Sequence, residues 1–190
     1  MGYLASLPLA RPRRATRIAM GGVVTVVLVA GALVFGPAGP ASAVACSGPW
    51  SGTGTSGDPF LVKTRADLVA IDTCMTAGNS TAGLVWRQWG NISLGTWSPI
   101  GATGSRRFEG TYDGDCYTLS GMSVSRSYDA GLFADLGSSR TPATVKNLKI
   151  SNPTVTGDNY GFGALAGSAS GANTIDTVIV TGANITTTGD

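Results

Sequence analysis

Apolar positions recur with one spacing through the second half of the chain. Three triplets share a step of three residues followed by a step of two: Leu119-Met122-Val124, Val145-Leu148-Ile150 and Ile175-Val178-Val180. Their first positions are offset by 26 and then by 30 residues, and Val155 answers Ile185 beyond the last two triplets. A period of about 20 to 50 residues is typical of proteins built from stacked repeats. The pattern therefore predicts coils that bury their apolar side against one another.

The composition of the repeats favours strands over helices. β-branched residues alternate with polar ones, and glycine-bounded segments separate the copies, "AGLFADLG" from Ala130 and "GFGALAG" from Gly161. We predict an all-β fold, a right-handed parallel β-helix with one N-terminal capping helix. A β-sandwich is the alternative. It explains regularly spaced strands, but not the repeated steps of three and two.

One helix is predicted ahead of the repeats, from Thr64 to about Ala77. Thr64 and Asp67 have capping-box spacing, and Gly78 supplies a stop signal. The apolar residues of this segment recur at helical intervals: Leu68, Ile71 and Met75. We assign 44–79 to an N-terminal cap and 80–190 to the repeats. The third repeat stops at "ITTTGD" before its glycine-bounded segment, so we expect either a longer parent protein with further domains or a partner at this end.

Residues 1–43 have the features of a bacterial export signal. A basic region with Arg11, Arg13, Arg14 and Arg17 precedes an apolar run over 18–35. The small-residue sequence Ala41-Ser42-Ala43 predicts cleavage after Ala43. A retained anchor and a twin-arginine route through Arg13-Arg14 are the alternatives. The expected location is secreted or cell-surface.

The three cysteines allow two arrangements in an oxidising compartment. Ala43-Val44-Ala45-Cys46 resembles a lipoprotein box, although the usual leucine is absent. If Cys46 is acylated, Cys74 and Cys116 form the only intramolecular pair left, and the membrane is reached through the lipid or the leader. If it is not, we favour a disulfide between Cys46 and Cys74.

Charge and composition exclude several function classes. All 11 acidic residues but only 9 of the 13 basic ones follow Ala43, so the chain without its leader carries a net charge of −2. No basic patch indicates nucleic-acid binding. The chain has no histidine, which excludes Ser-His-Asp and Cys-His nucleophile systems and histidine-bearing zinc motifs. We predict no cofactor.

The order of motifs resembles that of the GLUG-motif proteins. "GTGTSGDPFLV" from Gly52 is followed by the helix, then by "WSPIG", "FEGTYDGDCYTLSGMSV", "AGLFADLG", "ATVKNLKI" and "GFGALAG". The resemblance runs from about Gly52 to Asp190. It implies a secreted β-solenoid like those of bacterial adhesins and of the noncatalytic forepart of immunoglobulin A-cleaving zinc peptidases. Family members tend to have Asn and a small or polar residue where this chain has Asp115 and Cys116.

Carboxylates are the remaining acid–base candidates. Glu109, Asp113 and Asp115 cluster in one stretch, and glycoside hydrolases use two carboxylates about 5 to 10 Å apart. A carbohydrate-active β-helix enzyme, a hydrolase or lyase, is therefore the alternative to a noncatalytic module. Asp113 and Asp115 are also weak calcium candidates. The favoured interpretation of Asp113-Gly114 is a turn, with Gly114 at positive φ and Asp113 bonded to nearby backbone.

Aromatic residues suggest a second kind of site. Trp86, Trp89 and Trp97, with Tyr112 and Tyr117, are candidates for stacking on sugars, or else for filling the end of the solenoid. Arg106-Arg107 is interpreted as a solvated loop tip. We predict an adhesin-like or spacer module whose partner is a surface glycan or a host protein.

Overall fold

The computed structural model of the protein describes residues 46–103 and 106–188. The predicted leader and the cleavage site at Ala43 lie outside the described residues. Within them the chain forms a parallel β-solenoid of about four turns with a single short helix, as the repeat pattern predicted.

The helix α1 spans Arg65–Thr76. Thirteen strands make up the coils: β1 (Phe60–Val62), β2 (Val85–Gln88), β3 (Ile92–Thr96), β4 (Thr111–Asp113), β5 (Thr118–Ser125), β6 (Tyr128–Ala130), β7 (Phe133–Leu136), β8 (Thr144–Ser151), β9 (Thr154–Gly157), β10 (Tyr160–Phe162), β11 (Ala166–Ala169), β12 (Thr174–Thr181) and β13 (Asn184–Thr187).

Every strand pair among the described residues is parallel, which excludes the β-sandwich alternative. Nine strands share one sheet, while β6 pairs with β10 and β7 with β11. Inward-facing residues stack in columns from coil to coil. The longest column runs through Phe60, Trp86, Tyr112, Val145 and Ile175, at steps of 26, 26, 33 and 30 residues.

The repeated step of three residues comes from a left-handed residue in the strand. Gly121, Asn147 and Thr177 have φ values of 62°, 52° and 54°. Each lies just before the middle apolar residue of its triplet, and the pairing of β8 with β12 passes over Asn147 and Thr177. One extra residue in αL is a β-bulge, and it shifts the inward-facing set by one position. After the bulge, normal alternation gives the step of two.

The predicted offset of 30 residues is confirmed, but the offset of 26 between the first two triplets is wrong. Val145 pairs with Ile175 and Val155 with Ile185, as expected. Leu119, however, pairs with Ile150 instead of Val145, whose partner is Tyr112. The first coil contains an extra turn between β4 and β5, so the same bulge pattern recurs one strand later. Spacing alone therefore aligned a local motif and missed the register.

The helix closes the edge of β3, which no earlier strand covers. Thr64 and Asp67 form the predicted capping box, with the Thr64 N–H donating to the Asp67 carboxylate over 2.8 Å. From the first turn, the Arg65 guanidinium donates to the carbonyls of Leu94 and Thr96, each over 2.8 Å, and lies 5.6 Å from the Trp97 ring. Unpaired strand edges invite association. Here an arginine takes the place of the missing strand.

Aromatic rings fill the first coils of the core. Trp50 contacts Phe60 and Trp86, and Trp86 contacts Phe108, which in turn contacts Phe133. Later coils contain aliphatic residues in the equivalent columns. The last described coil exposes β12 and β13, including the inward-facing Ile175, Val180 and Ile185.

Replacement of Arg65 tests the edge-closing contact. We expect Arg65→Lys to lower the free energy of unfolding by about 1 kcal/mol, because a lysine cannot donate to two carbonyls in a fixed fork. The measurement is the urea midpoint at constant m-value. The exposed Arg140, changed to Lys, is the control, with an expected change within about 0.5 kcal/mol. Equal midpoints for both variants would contradict the proposed role of Arg65.

Candidate functional site

A solvent-open cleft of about 310 Å³ lies between the loop that follows α1 and the segment before β4. Its lining residues are Met75, Gly78, Asn79, Ser80, Arg106, Arg107 and Glu109. Gly78 ends the helix with φ 88°, and Asn79 donates from both its backbone and side chain to the Cys74 carbonyl, over 3.3 Å each. These contacts fix one wall of the cleft.

The opposite wall is held by a buried phenylalanine. Phe108 is fully buried, and its N–H donates to the Asp135 carbonyl over 3.0 Å. Side chains of an extended segment alternate between faces, so Arg107 and Glu109 lie on the outer face. The Glu109 N–H donates to Thr81 Oγ1 over 2.7 Å, which ties this wall to the helix loop. Arg106-Arg107, interpreted from sequence as a solvated loop tip, therefore belongs to the wall of a cleft.

Asp113 lies at a different place, in a corner between two coils. Its Oδ1 accepts from the Asp115 N–H over 3.0 Å and from Asn147 Nδ2 over 3.1 Å, and Lys146 Nζ lies 3.4 Å from Oδ2. Burial by itself raises the pKa of Asp113. The bonds from Asn147 and Asp115 and the charge of Lys146 outweigh it, so the pKa lies below its ordinary value of 3.8.

The predicted turn exists, but its left-handed residues are one position further on. The Tyr117 N–H donates to the Gly114 carbonyl over 2.8 Å, with Asp115 at φ 47° and Cys116 at φ 63°. Two central residues at positive φ indicate a type I′ turn. Gly114 itself is not at positive φ. A Cβ there would lie 2.6 Å from the Asn147 carbonyl oxygen, so the glycine serves the close approach of the next coil.

The structure does not bring the three predicted acids together at one cleft. Of the cluster, only Glu109 lines the cleft, while Asp113 is bonded in the corner and Asp115 is exposed in the turn. Among the described residues, no group of three or more His, Cys, Asp or Glu side chains could hold a metal. The Asp113 oxygens already face N–H donors and an ammonium group, a poor environment for calcium.

Two of the three predicted sugar-stacking tryptophans are buried, which corrects that prediction for them. Trp86 is packed between aromatic rings of the core, and Trp97 Nε1 donates to the Leu132 carbonyl over 3.0 Å. Neither ring can offer a face to a sugar from solvent. Trp89 is 57% exposed and remains available. Tyr112 is also buried, with its hydroxyl donating to Gln88 Oε1 over 3.0 Å, and burial, together with the Asp113 charge, raises its pKa far above 10.0.

An exposed tyrosine pair was missed by the sequence reasoning. Tyr128 and Tyr160 are 50% and 74% exposed, pair in register between β6 and β10, and stack with ring centroids 6.2 Å apart. Both stand just before the glycine-bounded segments that separate the repeats. Aligning those segments, instead of the apolar triplets, would have found the pair.

The structure contains the predicted disulfide between Cys46 and Cys74, with Cα atoms 5.3 Å apart. Cys116, the third cysteine, is unpaired and exposed. The disulfide uses the Cys46 Sγ that a lipid would modify, so the two arrangements exclude each other. No helix in the described ranges has the length and apolar character needed to cross a membrane.

Comparison with known proteins gives one similarity. The chain is 34% identical over 146 residues to Halomucin of Haloquadratum walsbyi (strain DSM 16790 / HBSQ001). The match covers 70% of this chain, which spans about 2% of the length of the curated relative it matches. No protein-family model matches the chain. No solved structure matches it.

Replacing Cys116 tests the cost of the turn. We expect Cys116→Gly to raise the free energy of unfolding by about 0.5 to 1 kcal/mol, because relief of the left-handed side chain exceeds the entropy that glycine adds to the unfolded chain. Cys116→Ser is the matched control, since it removes the thiol but keeps the backbone cost. Equal stabilisation by both variants would attribute the effect to the thiol.

The low pKa of Asp113 predicts a stability change in acid. The folded pKa lies below the ordinary value of 3.8, so Asp113 stabilises the fold above that pH, and the contribution is lost as pH falls through the folded pKa. We expect Asp113→Asn to be less stable than the wild type by about 1 kcal/mol at pH 7. Urea unfolding from pH 7 to 3 should show this difference shrink. A difference independent of pH would contradict the prediction.

Proposed function

We propose that this chain is a noncatalytic module of an exported or cell-surface protein, adhesin-like or a spacer, and a member of the GLUG-motif group. The parallel solenoid and the similarity to Halomucin both fit a surface module. The observation that carries the proposal is that the matched stretch is about 2% of Halomucin, so a comparable unit is embedded in a far longer chain.

The cleft supports a noncatalytic role. Glycoside hydrolysis needs two carboxyl groups that flank the bond to be broken. Glu109 is the one carboxylate among the described residues that line the cleft. Asp113 already accepts two hydrogen bonds and faces an ammonium group, and its lowered pKa makes it a poor general acid.

The architecture also suits a spacer. Columns of stacked side chains run the length of the described solenoid, and each coil contacts its neighbours in sequence order. Such a chain is quasi-one-dimensional, so its length can grow by adding coils without redesigning the core. A surface protein gains reach in this way.

Enzymatic turnover tests the noncatalytic assignment. The purified protein, without its leader, is incubated with a panel of neutral and acidic polysaccharides, and products are measured as new reducing ends and as unsaturated sugars. We expect no product above the background given by the Glu109→Gln variant, the isosteric control. Turnover by the wild type that disappears in Glu109→Gln would replace this proposal with the carbohydrate-active enzyme.

Location is tested on intact cells of the native producer. We expect an antibody against the solenoid to label the cell surface or to find the protein in the medium. The mass of the mature protein should correspond to a chain that begins after Ala43, carries the Cys46–Cys74 disulfide and has no acyl group. Protein found only in the cytoplasm with its leader intact would contradict export.

A further inference from the structure

The cleft beside Glu109 contains more hydrogen-bond donors than the protein uses. A guanidinium has five N–H donors. Arg106 Nη1 donates to the Thr103 carbonyl and Arg107 Nη1 to the Gly137 carbonyl, each over a long 3.4 Å. In the described part of the chain, the ion pair within 4.0 Å is Lys146–Asp113, which involves neither arginine. Most of the donor capacity of both arginines is therefore free.

The nearby helix end does not account for these arginines. A helix C-terminus carries partial negative charge and attracts cations. The last carbonyls of α1 are already paired, since Gly78 N–H donates to Met75 and Asn79 donates to Cys74. The helix end thus has its own partners, and no bond joins it to either guanidinium among the described residues.

Other carboxylates near the cleft compete only weakly for Arg107. The pKa of Asp129 is raised, first by burial and then by the charge of Asp135, while Arg126 and Arg107 oppose that shift. Arg107 is thus close enough to act on Asp129 through space, without an ion pair. With Glu109 included, the cleft lining has two positive charges and one negative, although the leaderless chain is negative overall.

The polar residues of the cleft favour a ligand with both an anion and hydroxyl groups. Arginine binds planar carboxylates and sulfates through paired N–H bonds. The Glu109 carboxylate only accepts hydrogen bonds, and no described side chain donates to it. Ser80 Oγ accepts from the Ala82 N–H, which leaves its own O–H to donate. A carboxylate beside two guanidiniums suits a singly charged polyhydroxy ligand better than a small dianion.

We propose that this cleft binds one acidic sugar unit of an anionic polysaccharide, with Arg106 and Arg107 contacting its carboxylate or sulfate group and Glu109 accepting its hydroxyls. The volume, about 310 Å³, and the open side suit one ring of a continuing polymer. This inference rests on the proposed function, because it names the ligand class of a surface module that does not degrade its ligand.

Binding is measured by affinity electrophoresis and biolayer interferometry of the full chain without its leader. The probes are polygalacturonate, which carries carboxylates, dextran sulfate, which carries sulfates, and unmodified dextran, which is neutral. We expect binding to one or both acidic polymers and none to dextran. The carboxylate and sulfate arms decide which anion the cleft takes. No binding to either acidic polymer would overturn the inference.

Paired charge variants separate a site from general attraction. We expect the double variant Arg106→Gln/Arg107→Gln to weaken binding about tenfold or more, since it removes the charge-assisted bonds. The control Arg140→Gln/Lys149→Gln makes the same change in net charge at exposed positions outside the cleft, and should change binding less than about twofold. Both doubles should keep the wild-type urea midpoint. An equal loss in both would overturn the assigned site.

Glu109→Gln gives an opposite sign for the two possible roles of that residue. If Glu109 accepts hydroxyl hydrogens, the amide weakens binding despite removing a negative charge; tighter binding would overturn its assigned role. The tests also distinguish the two proposals. Absent binding together with surface location and no turnover overturns only the ligand class. Binding through Arg106 and Arg107 followed by Glu109-dependent cleavage overturns only the noncatalytic function.

Discussion

Parallel, in-register stacking of one coil on the next is the constraint on which the rest of this structure depends. Each inward side chain must fill the space between its equivalents one coil earlier and one coil later, as Trp86 does between Phe60 and Tyr112. Large rings in the first coils give way to Val145 and Ile175 further along the same column. Close packing requires this complementarity, because a gap or an excess of one methylene is felt throughout the column.

The same constraint explains the unusual backbone positions. A coil must turn its apolar side inward after every corner, and the left-handed residue in each triplet makes that adjustment. Glycine and asparagine tolerate this conformation, so Gly121 and Asn147 fit, whereas Thr177 is a β-branched residue at φ 54°. Gly114 answers a different need, since the neighbouring coil leaves no room for a side chain. Glycines with the same appearance in sequence therefore serve two separate physical purposes.

The ends and edges of the solenoid carry the features that interact with other groups. Arg65 closes the edge of β3, and the loop after α1, held by the disulfide-bonded Cys74, forms one wall of the cleft. The opposite wall stands where it does because Phe108 enters the core between Arg107 and Glu109. Core packing therefore positions the polar groups that the proposed ligand would contact, and a binding site can arise on a spacer without a dedicated loop.

The sequence by itself determined the class of fold, the helix with its capping box, the 30-residue register of the last two coils and the turn at Asp113. Each is written in local spacing or in one short repeat. The register of the first coils, the burial of Trp86 and Trp97 and the separation of Glu109 from Asp113 were decided only by the tertiary structure. The two residues added by the turn before β5 shift every later pairing, and an extended segment near a corner can face either side. Burial and proximity depend on which coil lies next to which, and that information is absent from any single stretch of the chain.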